Sequence, residues 1–129
     1  MDWIKYMDLN NLSVDVNVIL EILAKRQKWE YCYTVLSKYQ NLYLSPTSIH
    51  IIYYFGKKYG LGKENIDQFL KDFNILNFNH QSFLEAIRIC QTDMEDALQI
   101  AASLNSGINK FFTLDEEMKE SYSEVVDFV

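Results

Sequence analysis

Apolar residues fall along this chain in two alternating patterns. Short continuous runs at residues 12–16, 42–44, 73–76 and 110–113 are bounded by Asn, Asp, Ser or Lys and read as buried strands. Between them, apolar side chains recur at three- and four-residue steps, as helices require. Helix-like spacing covers residues 18–24 and 29–39, the second with Trp29, Cys32, Tyr33, Leu36 and Tyr39 on one face. In "SPTSIHIIYYFGKKYG", Ser45 is the expected N-cap, Pro46 the first helical residue and Gly60 the stop. Residues 63–72 give a short helix. Residues 81–90 give another, with Phe83, Leu84, Ile87 and Cys90 on one side as its expected core face. Thr92 and Glu95 spell a capping box that starts a helix running to about Asn105, with Gly107 just beyond. "DEEMKESY" begins a final helix, and the tail "SEVVDFV" is left unassigned. Strands separated by helices of this length predict βαβ units: an α/β fold, a three-layer α/β/α sandwich with a four- to five-stranded, mainly parallel sheet.

Three acids interrupt the pattern where such folds bind ligands, outside the carboxyl ends of the strands. Asp15 and Asn17 stand inside "SVDVNVILEIL", a run that is otherwise almost wholly apolar. Removing a carboxylate from water is costly unless it is paired, hydrogen-bonded or metal-bound. Asp96 lies in the first turn or so of the helix from Thr92, and Asp115 follows the last strand by two residues. Carboxylates gathered in this way suit Mg²⁺ or Mn²⁺, hard ions that take oxygen ligands and keep several waters. Each acid also has a structural explanation. Asp15 could cap the helix that follows, and Asn17 could be a turn residue. Asp93, Glu95 and Asp96 suit a helix N-terminus. Asp115, Glu116 and Glu117 could form a solvated loop, with Thr113 and Glu116 as a second capping box.

Composition narrows the function classes. The 129 residues are 49% hydrophobic and 15% aromatic, with one proline and four glycines. This is a globular composition, read as one domain over residues 1–129 with 1–10 as a candidate N-terminal extension. The net charge of −6 argues against a simple electrostatic nucleic-acid binder, though not against an enzyme that meets phosphate through bound cations. Cys32 and Cys90 form no disulfide framework and read as buried thiols in a reducing compartment. No signal pattern or apolar run of about 20 residues is present, so a cytoplasmic protein without a membrane span is expected. Lys25, Arg26, Lys28, Lys57 and Lys58 either line a phosphate path or are solvated helix ends. His50 reads more simply as a surface or packing residue than as a ligand or base, and His80 as a loop or capping residue. Tyr53 and Tyr54 suit core or dimer contacts better than base stacking.

Three stretches together resemble a known family. "VDVNVILEIL" is similar to the opening strand and D-x-N motif of PIN domains of the VapC toxin type. "YLSPTSIHIIYYFGKKYG" is similar to their second strand and following helix. "DMEDALQIAASLNSGINKFFTLDEEM" resembles their D-A-L-x-x-A-A segment, short strand and T-x-D, and is the most specific of the three. The likeness spans roughly residues 12–118. It implies a metal-dependent endoribonuclease, the toxin half of a toxin–antitoxin pair, with RNA as substrate, an antitoxin as partner and a homodimer as the assembly. Carried over, Asp15, Asp96 and Asp115 are the expected catalytic acids and Mg²⁺ or Mn²⁺ ligands, with Glu117 as a nearby further ligand. Asn17 and Thr113 are the expected supporting residues.

The chain departs from the family pattern at two points. The helix glutamate that normally follows the second strand is replaced by Ile51, with His50 beside it, and no acid occurs between Ser45 and Tyr59. Val16 replaces the hydroxyl residue of the usual D-T-N. Glu21, one turn after Asn17, either approaches the site or faces solvent. The competing expectation is therefore a catalytically degraded PIN domain that serves as a binding or scaffold module. An unrelated α/β phosphatase or phosphoryl-acceptor fold also gathers acids at strand ends, but its basic partner after the last strand is missing here.

Overall fold

The structure, a computed structural model, describes residues 10–129. Apart from Asn10, the candidate N-terminal extension lies outside the described residues. In chain order the elements are β1 (Asn11–Val14), α1 (Val16–Leu23), α2 (Trp29–Leu36), β2 (Asn41–Leu44), α3 (Pro46–Lys58), α4 (Lys63–Leu70), β3 (Asn74–Ile75), α5 (His80–Ile89), α6 (Met94–Asn105), β4 (Lys110–Phe112), α7 (Glu116–Tyr122) and β5 (Asp127–Phe128).

The five strands form one sheet in the order β3-β2-β1-β4-β5, and every pairing is parallel. β1 lies at the centre. Ser13 pairs with Tyr43 of β2 on one side and Phe111 of β4 on the other. A central strand covered on both faces is buried on both, so "LSV" is buried throughout, with the Ser13 hydroxyl paired to that of Ser103 at 2.5 Å. Successive residues then serve opposite layers. Leu12, Val14 and Phe112 join one core with Ile19, Ile22, Cys32, Leu36, Ile52 and Ile66, contributed by α1 to α4. Phe111 joins the other with Ala86, Ile89, Ala97, Ile100, Met118 and Tyr122, contributed by α5 to α7. This is the expected three-layer α/β sandwich, with all five strands parallel.

Several boundaries move. β1 ends at Val14, and Val16 is already helical. Asp15 is the junction: its N–H completes the ladder to the Phe112 carbonyl at 2.9 Å, while its own carbonyl accepts the Val18 N–H at 3.1 Å. Ser45 caps α3 as expected, its hydroxyl accepting the Ser48 N–H, with Pro46 in the first turn. α6 is capped by Asp93 instead of Thr92, with Asp93 Oδ1 accepting the Glu95 N–H at 2.9 Å. The unassigned tail supplies β5, which extends the sheet beside β4. Cys32 is buried and Cys90 half-buried, both as free thiols. No helix among the described residues is long and apolar enough to cross a membrane.

The core face of α5 is the larger correction. Phe83, Leu84 and Ile87 are 45–50% exposed, and the helix buries Ser82, Ala86 and Ile89 instead. Ala86 shares a core cluster with Ala97 and Ala101 of α6. Two helices meeting through alanines approach closely and leave no room for large side chains between them. Capping sets the same rotation: the Asn79 side chain and the Ser82 hydroxyl and N–H bond reciprocally, which turns Ser82 inward. Ala86→Leu should therefore destabilise the fold by about 1–3 kcal/mol through overpacking, whereas Ile87→Ser should change it by less than about 0.5 kcal/mol. Urea unfolding of the two variants checks this; the opposite ranking would place the helix the other way round.

Candidate active site at the carboxyl edge of the sheet

Asp15 stands at the end of the central strand, only 3% exposed. It occupies the N-cap position of α1 but makes no side-chain capping bond. Its Oδ2 instead accepts a 2.6 Å hydrogen bond from the Thr113 hydroxyl, just past β4. The same hydroxyl oxygen accepts from Asn17 Nδ2 at 3.2 Å and from the Asp115 N–H at 3.0 Å. Asn17 Oδ1 in turn accepts the Leu114 N–H at 3.2 Å. Asn17 and Thr113 are thus a clasp: α1 grips the loop after β4, and the loop's one hydroxyl proton is directed at Asp15. No Thr113–Glu116 capping box forms. Asp115 caps α7 itself, with Oδ1 accepting the Glu117 and Met118 N–H groups at 3.0 and 3.2 Å.

Asp96 enters from the first turn of α6. With Asp93, Asp115, Glu117 and Ser121 it lines a water-accessible cleft of about 360 Å³. Burial and the charges of Asp93, Asp15, Asp115 and Glu95 push the Asp96 carboxyl up to about 7. Burial, with Asp93 and Asp15, also raises Glu95. Burial raises Asp15, against the opposing pull of Thr113, Gln99 and the backbone N–H groups of Val16 and Asn17. The expected acids therefore share one edge of the sheet and feel each other's charge.

Two neighbours escaped the sequence reading. Gln99 is 1% exposed. Its Oε1 accepts from the Ser48 hydroxyl at 3.0 Å, and Ser48 meets the Ser45 hydroxyl at 2.9 Å. The Gln99 amide acts on Asp15 electrostatically, but Nε2 forms no hydrogen bond of normal geometry. The available signal was the spacing of Asp96, Gln99 and Ser103, three polar residues on one stripe of a helix whose middle is otherwise apolar from Ala97 to Leu104. Ile51 is half-buried against the core of α1 to α4, and His50 is exposed. Glu21 turns away from the acids: its Oε2 accepts the Lys28 N–H at 2.8 Å. His80 opens α5 just after its cap. Tyr53 is half-buried and donates to Asp67, whereas Tyr54 is exposed.

The donor set fits a hard divalent cation in chemistry: carboxylate oxygens that repel one another and gain from a shared positive charge. It is not a closed cage. Among the described residues, no three His, Cys, Asp or Glu side chains are arranged to hold one ion between them. Ions that keep several waters do not require such closure.

A carboxyl raised in the folded state holds a proton that the unfolded chain has already lost. Asp96 should therefore cost stability progressively as pH rises from about 4 towards 7. Asp96→Asn should raise the melting temperature of chelator-treated protein at pH 8 and leave it little changed at pH 4. Thermal melts at both pH values read this directly; no gain at pH 8 would remove the repulsion.

The comparisons with known proteins agree with this geometry. The PIN domain family matches residues 12–123. No curated protein sequence matches. Among solved structures, a toxin–antitoxin complex from Klebsiella pneumoniae is 16% identical, with a TM-score of 0.76 over 92% of this chain and 95% of that one. VapBC2 from Rickettsia felis, bound to a DNA fragment from its promoter, is 11% identical, with a TM-score of 0.71 over 92% and 97%. Mycobacterium tuberculosis VapC20, a toxin that cleaves the sarcin–ricin loop, is 10% identical, with a TM-score of 0.70 over 85% and 94%. These likenesses show a shared fold, and the match across residues 12–123 places the chain in the PIN domain family.

Proposed function

We propose that the chain is a metal-dependent endoribonuclease and the toxin component of a VapBC-type pair. The observation that carries this reading is the placement of Asp15, Asp96 and Asp115, from three separate elements, at one edge of the sheet, where burial first, and then the charges of Asp93, Asp15, Asp115 and Glu95, push Asp96 up to about 7. In this reading Asp15, Asp96 and Asp115, with Glu117 at the rim, hold Mg²⁺ or Mn²⁺. Such an ion would supply Lewis-acid chemistry there, favouring an activated water and offsetting phosphodiester charge. The protein's part is orientation. Thr113 fixes the Asp15 rotamer, and Asn17 fixes Thr113. Both caps on Asp115 fall on Oδ1, leaving Oδ2 without a hydrogen bond among the described residues. The toxin–antitoxin neighbours support an antitoxin partner, and a homodimer belongs to the same reading.

A second reading, a PIN domain reduced to a binding or scaffold module, is favoured by Ile51 in the glutamate position and by the open arrangement of the acids. One experiment separates them. Purified protein is incubated with a mixed RNA pool in Mn²⁺, in chelator, and as Asp15→Asn. Cleavage lost in chelator and in Asp15→Asn supports the nuclease. Folded protein that neither cleaves RNA nor gains thermal stability from Mn²⁺ supports the module. Thr113→Val should cost about 1–3 kcal/mol of stability by unpartnering Asp15 and, under conditions where it is still folded, lower Mn²⁺ affinity or cleavage by about 10- to 100-fold, as expected of a residue that orients a ligand; lost stability with unchanged affinity and cleavage would reduce the clasp to a structural role.

A further inference from the structure

The loop after β4 has a second side. Asp115 and Glu117 face the acidic cleft, whereas Thr113, Leu114 and Glu116 face another cleft of about 410 Å³, closed by Lys28, Tyr31, Phe112 and Lys119. The two clefts therefore share a wall one loop thick, and the Thr113 hydroxyl that holds Asp15 belongs to that wall.

The second cleft has the opposite chemistry. Lys28 and Tyr31 stand one turn apart at the start of α2, so both side chains lie on one face. The position of Lys28 is fixed by its N–H bond to Glu21, while its side chain joins no ion pair: those among the described residues are Lys63–Asp67, Arg88–Glu85, Lys110–Asp127 and Lys119–Glu116. Glu116 in the cleft is answered by Lys119 at 3.3 Å, which leaves Lys28 as the surplus cation. Tyr31 is 55% exposed, although it packs against Phe112 with centroids 6.0 Å apart and planes at 75°. It is an aromatic anchored to the core yet open to solvent. Two other basic–aromatic pairs, Lys25 over Trp29 and Lys58 over Tyr59, differ: Tyr59 is stacked on Phe55, and none of the four residues lines a cleft beside the acids.

We infer that this cleft is a nucleotide-binding subsite for single-stranded RNA, in which Tyr31 stacks on a base and Lys28 meets a backbone phosphate. Resting on the nuclease reading above, it supplies what the acidic cleft cannot. A phosphodiester brought to Asp15, Asp96 and Asp115 meets repulsion, and a cation with a stacking platform across the loop offsets it for the neighbouring nucleotide. Stacking is tolerant of sequence, so the subsite contributes affinity and register more than base choice.

The test is binding of a fluorescent single-stranded oligoribonucleotide in chelator, where cleavage does not interfere, with metal-dependent cleavage of the same RNA measured in parallel. Tyr31→Leu should weaken binding by about tenfold and Tyr31→Phe should restore it. Lys28→Gln should weaken binding and reduce the steepness of its salt dependence by about one charge. All three substitutions are at exposed positions, and unchanged melting temperatures show that they fold. If the parent binds and cleaves RNA while Tyr31→Leu and Lys28→Gln bind equally well, the subsite is wrong and the nuclease reading stands. If the parent neither binds nor cleaves RNA, the nuclease reading falls and the subsite falls with it. Loss of a protein partner, with RNA binding intact, would give the cleft to that partner instead.

Discussion

The fold is organised around a carboxylate buried at the end of its central strand. Asp15 has a backbone committed on both sides, its N–H to β4 and its carbonyl to α1. Its side chain has nowhere to go but the gap between them. Leaving that charge without a partner in the protein interior would cost several kcal/mol. The Thr113 hydroxyl supplies the partner, and Asn17 and the Asp115 N–H hold the hydroxyl in turn. One buried charge thereby fixes the first helix, the last loop and the cap of α7. The D-x-N and T-x-D stretches are two halves of a single hydrogen-bonded unit.

Around that unit the charges are sorted by side. The face towards α6 is acidic, and at Asp96 burial together with the neighbouring carboxylates disfavours the charged form. The face towards α2 carries Lys28, unpaired among the described residues, the Lys119–Glu116 pair and an open tyrosine ring. A chain with a net charge of −6 can still present a local welcome to an anion, because the distance over which charges matter is about 8 Å at physiological salt. Net charge describes the whole molecule; the lining of each cleft differs in charge from that average.

Legibility in the sequence followed the physics of each feature. Four of the five strands were readable as short apolar runs, the pattern a covered parallel sheet imposes, whereas the two-residue β5 in the tail was not. The start of α3 was readable because Ser45 and Pro46 act locally. The three acids could be placed because their positions relative to strand ends are set by topology. The face of α5 was not legible, because the deciding partner was the alanine surface of α6, far away in sequence. Asp93 displaced Thr92 as a cap by a single residue, a choice between two adequate side chains. Gln99 and Ser48 were missed because a buried amide bonded to a hydroxyl has no local signature: 51 residues separate them.

The clasp also sets an order in time. Asp15 and Thr113 are separated by 98 residues. During synthesis, Asp15 emerges that many residues before Thr113, at the end of a strand that still lacks β4. It acquires its buried character only when β4 arrives and the threonine behind it closes over the site. No fragment from the amino-terminal side contains that arrangement, however well its helices form. The site thus forms only once the chain has reached Thr113, and a copy that stops short of it carries Asp15 and Asp96 without Asp115 or the hydroxyl that closes over Asp15.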